Sequence, residues 1–207
     1  TALTLQHAWS LDDWQALADG KARIALDSDS KLRVVANRQA LMARVERGDV
    51  MYGVNTGFGS LCTTIIPGEE LQALQANLIR SHAVGTGPLV SSEVVRLMLA
   101  TKIKALCQGF SAVEWSTVEA LNALLDHDIL PEVPSMGSLG ASGDLAPLSH
   151  LTLVVMGEGR ARVGTQSLKG AEALSLKGLQ PIVLGAKEGL ALINGTQFML
   201  AHGLWLA

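Results

Sequence analysis

Aromatic side chains are scarce in this 207-residue chain: Phe, Trp and Tyr together make up 4% of it, and charged residues only 17%. That charged fraction lies below the quarter or so usual for a soluble domain. With a mean hydropathy of +0.30, it implies that much of the surface is meant to be covered. The formal net charge is −3 and the pI about 5.9. So slight an acidity gives no electrostatic footprint for nucleic acid or an anionic membrane, and neither is expected as a partner. The two cysteines, Cys62 and Cys107, form no CxxC pair and have no nearby histidine, so they read as buried reduced thiols suited to the cytoplasm. His7, His82, His127, His150 and His202 show no metal-ligand spacing, and no metal is expected. Residues 1–13 lack the basic and apolar regions of a signal peptide. Residues 189–207 carry no formal charge, but Asn194, Thr196, Gln197 and His202 make them a poor membrane span. A helix buried among other helices is the better account.

What is present is mostly helical periodicity, with no repeat, low-complexity segment or linker. Ser10 and Asp13 open a first helix that stops at Gly20. A second is predicted over about 30–47, with Leu32, Val35, Leu41 and Val45 near one face. Pro67-Gly68-Glu69-Glu70 opens a third through Leu71, Leu74 and Leu78. Ser91 or Ser92 caps a fourth that runs to Cys107, and Ser111-x-x-Glu114 reads as a capping box for a fifth. Two more are expected over 144–156 and from 187 onward. The last still reads as helix where the sequence stops, which predicts a cut inside that helix and a fragment of a longer protein. Residues 160–168, with Gly164-Thr165 at the turn, predict a small β-hairpin. The fold class is mainly α.

Three segments interrupt the helices. Tyr52-Gly-Val-Asn-Thr-Gly-Phe58-Gly59 is either a tight turn with a packed tyrosine or a place where backbone approaches a ligand. Residues 137–148, GSLGASGDLAPL, admit three readings. One is a loop entering a helix capped by Asp144. Another is a phosphate cradle, although the Gly-Lys-Ser/Thr ending and a βαβ setting are missing and Asp144 would repel the anion. The third is chemical: if the Gly143 nitrogen attacks the Ala141 carbonyl, a five-membered ring closes. Loss of two waters then leaves a methylidene where the Ser142 hydroxyl stood. A helix N-terminus behind such an electrophile stabilises negative charge developing in the ring. Asn194-Gly195-Thr196-Gln197 matches a glycosylation sequon by chance, and otherwise pins a loop or faces a polar ligand. His82, at the end of the third helix, is a helix cap or a ligand.

These segments together, with Ser81-His82 and residues 187–197, resemble the aromatic amino-acid ammonia-lyase family, and within it the histidine ammonia-lyases. The resemblance spans nearly the whole chain, and the Gly-Ala-Ser-Gly-Asp run is its most specific part. It implies the N-terminal portion, residues 1–207, of the fumarase/aspartase-like ammonia-lyase fold. It also implies a 4-methylidene-imidazol-5-one group formed autocatalytically from Ala141, Ser142 and Gly143, with no external cofactor. The implied reaction is deamination of L-histidine to trans-urocanate and ammonia, the first step of histidine degradation. By the same likeness Tyr52 removes a β-proton, and Asp144 assists ring formation. Asn194 holds substrate or developing charge, and Phe58 and Leu190 line the pocket. Ser81 and His82 bind the side chain; a polar pair suits an imidazole, whereas the plant phenylalanine enzymes place an apolar pair there and bacterial tyrosine enzymes His-Leu. The family is homotetrameric, with active sites shared between subunits, and its chains are more than twice as long. The absent part supplies a further Tyr, an Arg, a Phe and a Glu, so the 207-residue piece alone is expected to be inactive. Tyrosine or phenylalanine lyases, aminomutases, a phosphate-binding module and a non-catalytic assembly fragment are the alternatives.

Overall fold

The structure is a computed structural model that describes residues 1–57, 65–139 and 143–207. Its helices are α1 (Leu11–Ala18), α2 (Ser28–Glu46), α3 (Leu71–His82), α4 (Ser92–Leu106), α5 (Trp115–Asp126), α6 (Leu145–Val155), α7 (Gly170–Ser175), α8 (Glu188–Ile193) and α9 (Gln197–Leu206). Short strands join them: β1 (Ala2–Thr4) pairs in parallel with β2 (Arg23–Ala25), and β3 (Thr86–Leu89) antiparallel with β5 (Pro134–Met136). β4 (Ile129–Pro131), β6 (Arg160–Val163) and β7 (Gln166–Lys169) form a three-stranded antiparallel sheet. The expected hairpin is therefore present as β6–β7, but it is extended inward by the fully buried β4.

α4 is the centre of the core. Ser91 caps it by accepting from the Val94 amide, and the run Leu97-Met98-Leu99-Ala100 leaves no polar face, so the helix is buried nearly all round. α1, α5 and α9 pack along it. The capping box of α1 is as expected: Ser10 accepts from the Asp13 amide, and Asp13 accepts from that of Ser10.

Three expectations from periodicity and capping fail, each because a tertiary contact outweighs a local signal. On α2 the expected face holds at Val35, Leu41 and Val45, which pack partly buried against the core, but Leu32 is 68% exposed and the buried positions are Ser30, Val34 and Arg38. Arg38 is drawn in because its guanidinium donates to the Glu114 carboxylate at 2.7 Å and to the carbonyls of Ala112 and Ala186. The capping box at Ser111–Glu114 does not form. Glu114 itself occupies the N-cap of α5, and its amide donates to Glu188 Oε1 at 2.9 Å. The helix expected from 187 onward is broken: α8 ends at Asn194, whose ψ of 118° is extended, and α9 begins at Gln197.

Glu188 holds these corrections together. Its buried carboxylate also accepts from the Thr117 hydroxyl at 2.6 Å and the Gly185 amide at 2.7 Å. Lys187 reaches the Ser111 carbonyl at 2.7 Å from a left-handed backbone, φ 68°. The network fixes where α8 starts, and six residues later the break at 194–196 falls beside Gly143. Replacing Glu188 by Ala strands two amides and a hydroxyl in the core, at a cost of about 3 kcal/mol. Urea unfolding is the check; a loss under about 1 kcal/mol would mean that these donors find other partners.

Candidate active site

Just before α6 the Leu139 amide donates to the Gly143 carbonyl at 2.9 Å. Ala141 and Ser142 lie outside the described residues. Gly143 is required by space: a Cβ there would land on the Leu139 carbonyl. That crowding fits a group made by backbone cyclisation, which needs the chain compressed and its amide nucleophile unhindered. Gly143 also makes an isolated parallel bridge to Gly195 in the α8–α9 break. Gly195 tolerates no side chain either, since its Cβ would meet the Gln197 side chain.

Asp144 precedes α6 but does not cap it. Its fully buried carboxylate accepts from the Ser138 hydroxyl at 2.7 Å and from the Met199 amide at 3.0 Å. Met199 stands in the first turn of α9, where amides have no partner in their own helix. Asp144 thus caps a helix 55 residues further along the chain. This corrects the reading of a loop that merely enters a helix it caps. The physical reason is that α9 presents free donors where the carboxylate is buried and needs them.

Lys102 of α4 also belongs to this cluster and did not stand out in the sequence. Its ammonium lies 3.2 Å from the Asn194 carbonyl and 3.5 Å from Gln197 Oε1. Burial pushes its pKa down to about 7, and the Asp144 carboxylate opposes that shift. A signal was available: Lys102 falls four residues after Met98, three after Leu99 and four before Leu106, on a face that is otherwise core.

Of the other expected residues, Asn194 joins this cluster through its backbone carbonyl, and the rest that are described make contacts of their own. Tyr52 is 58% exposed on the turn 51–57, which is held by the Asn55 side chain accepting from the Met51 amide and donating to the Asp49 carbonyl. Phe58 lies outside the described residues. Ser81 and His82 end α3, where His82 Nδ1 is 2.8 Å from the Leu78 carbonyl of its own helix and the Ser81 hydroxyl donates to the same carbonyl. Beyond them the Gly85 amide donates to His150 Nε2 at 3.0 Å, which anchors the chain leaving Ser81–His82 to α6. Asn194 is exposed at the end of α8, with its backbone carbonyl on Lys102. Leu190 is half-buried against the core, and its amide faces Gln75 Oε1. Among the described residues no group of three or more His, Cys, Asp or Glu could hold a metal ion, and no helix is long and apolar enough to cross a membrane.

The family model for aromatic amino acid lyases matches residues 9–207. The chain belongs to that family. Histidine ammonia-lyases of Paracidovorax citrulli and Desulfotalea psychrophila are 48% and 46% identical to it over 94% of its length. The chain spans 38% of each of these relatives. Among solved structures, the histidine ammonia-lyase of Trypanosoma cruzi superposes with a TM-score of 0.89 at 37% identity, over 99% of this chain and 40% of that one. A phenylalanine aminomutase of Pantoea agglomerans gives 0.91 at 33%, over 99% of this chain and 39% of that one. The lyase-family membership and the mainly helical fold therefore stand on sequence and structure together.

One consequence of the geometry is pH-dependent. Burial holds the His150 imidazole below its ordinary 6.5, in the neutral form that accepts the Gly85 amide. A pKa lowered by folding gives stability that is complete above the unfolded value and is lost as pH falls through the folded one. Melting temperature is expected to drop on acidification below 6.5, and the drop should shrink in His150→Gln, which accepts the same amide without titrating. Equal acid sensitivity in both proteins would remove this bond from the account.

Proposed function

We propose that this chain carries the ring-forming loop and part of the active site of an enzyme that deaminates L-histidine to trans-urocanate and ammonia. The observation that carries the reading is the bond from the Leu139 amide to Gly143, a glycine that admits no side chain, followed by the buried Asp144. Ala141, Ser142 and Gly143 would supply a 4-methylidene-imidazol-5-one, an electrophile that makes ammonia a better leaving group. The chain's own side chains do the rest. The Tyr52 hydroxyl takes the β-proton, and its exposed position on a turn suits a group that meets substrate from solvent. Asn194 orients substrate beside the loop, and Phe58 and Leu190 exclude water. Ser81 and His82 present a polar pair to the substrate imidazole, which both donates and accepts. Asp144 assists closure by holding the exit of the turn against α9.

Histidine is the favoured substrate because relatives named histidine ammonia-lyase are 46–48% identical, and among solved structures the histidine ammonia-lyase is 37% identical against 33% for the phenylalanine aminomutase. In this reading the complete protein is a cytoplasmic homotetramer acting first in histidine degradation. The exposed Met199, Leu200, Trp205 and Leu206 of α9 would be covered by other parts of the assembly. The 207-residue piece alone lacks about three-fifths of its relatives' length and would be inactive.

The test uses the protein expressed from its complete gene, given L-histidine, L-tyrosine and L-phenylalanine in turn. Urocanate is expected to form, and His82→Leu should lower kcat/KM for histidine about tenfold to a hundredfold, the worth of one lost hydrogen bond. Preference for tyrosine in the parent protein would refute the substrate assignment. Ser142→Ala is expected to keep the unmodified mass, whereas the parent is lighter by two waters, about 36 Da.

A further inference from the structure

Lys102 is 2% exposed inside the central helix of the core, where an ammonium is costly unless paired. Its neighbours Met98, Leu99, Ile103 and Leu106 are all core, so a leucine or methionine would fill the place without that cost. The ammonium is spent on the α8–α9 break. It donates to the carbonyl of Asn194, where α8 ends, and faces the side chain of Gln197, where α9 begins. Between those two residues lies Gly195, which pairs with Gly143. Its charge partner Asp144 grips the same break through the Met199 amide. The break is therefore held once from α4 and once from the exit of the loop.

We propose that Lys102 is a positioning residue for ring closure: its ammonium holds residues 194–197 against Gly143 and Asp144, and so fixes where the Gly143 backbone stands. The proposal rests on reading 141–143 as the ring-forming triad. Closure joins the Gly143 nitrogen to the Ala141 carbonyl carbon. One water leaves with the carbonyl oxygen and the hydrogens of the Gly143 and Ser142 amides. The second leaves with the Ser142 hydroxyl and the hydrogen of its Cα. No oxidant is needed, and Lys102 contributes no atom. Its part is to hold the backbone where the nitrogen meets the carbonyl, which is the entropic share of an intramolecular reaction.

Lys102→Met, Lys102→Gln and Lys102→Arg are made in the protein expressed from its complete gene. Intact mass then reads closure directly, as a loss of about 36 Da, without substrate. The parent is expected wholly in the lighter form. Met and Gln variants that retain helical circular dichroism and cooperative melting should show a lighter fraction smaller by about tenfold after the same time. Arg should restore it, whereas a role in filling space would favour Met over Arg. Gln keeps a neutral donor of similar reach and carries the test if the Met variant does not fold. Complete closure in a folded Met or Gln variant overturns the role of Lys102 and leaves the triad reading intact. A parent protein at the unmodified mass overturns the triad reading itself.

Discussion

The buried carboxylate of Asp144 is the constraint around which the rest is arranged. A carboxylate removed from water must be given donors, and these come from its own loop, the Ser138 hydroxyl, and from a helix 55 residues further on, the Met199 amide. Satisfying it ties the loop at 137–143 to the start of α9 and brings the Lys102 ammonium of α4 within its field. Two helices that are remote in sequence thus share one anchoring point. The demand is met by α9 because the first turn of any helix has unpaired amides to offer.

A second polar network prepares the first. Glu188 and Arg38 bind Glu114, Thr117, Gly185 and the carbonyls of Ala112 and Ala186, and so set the start and direction of α8. α8 is only six residues long, so fixing its start also fixes its end. That end is the break at Asn194–Gly195–Thr196, which lies against Gly143. The small residues at both sides of this contact let two backbones meet with no side chain between them.

Much of the fold was legible locally. The capping of α1 by Ser10 and of α4 by Ser91, the 3.6-residue period of α3 and α4, and the β6–β7 hairpin all depend on residues within a few positions of one another. Reading failed where a distant partner claimed a local donor. Ser111 lost its capping role because Glu188 took the Glu114 amide, and Leu32 turned outward because Arg38 was drawn in. Periodicity counts side chains as apolar or polar, so it cannot foresee an arginine whose charge is satisfied in the interior. The same limit hid Lys102.

By itself the sequence determined the mainly helical class and the family, because these rest on local propensity and on the order of motifs along the chain. Only the tertiary structure decided that Asp144 caps α9 instead of the helix it precedes, that the last helix breaks at Asn194, and that Gly143 pairs with Gly195. Each of these is a contact between residues far apart in sequence. Its energy comes from satisfying a buried polar group, and no pattern within a window of a dozen residues contains the partner.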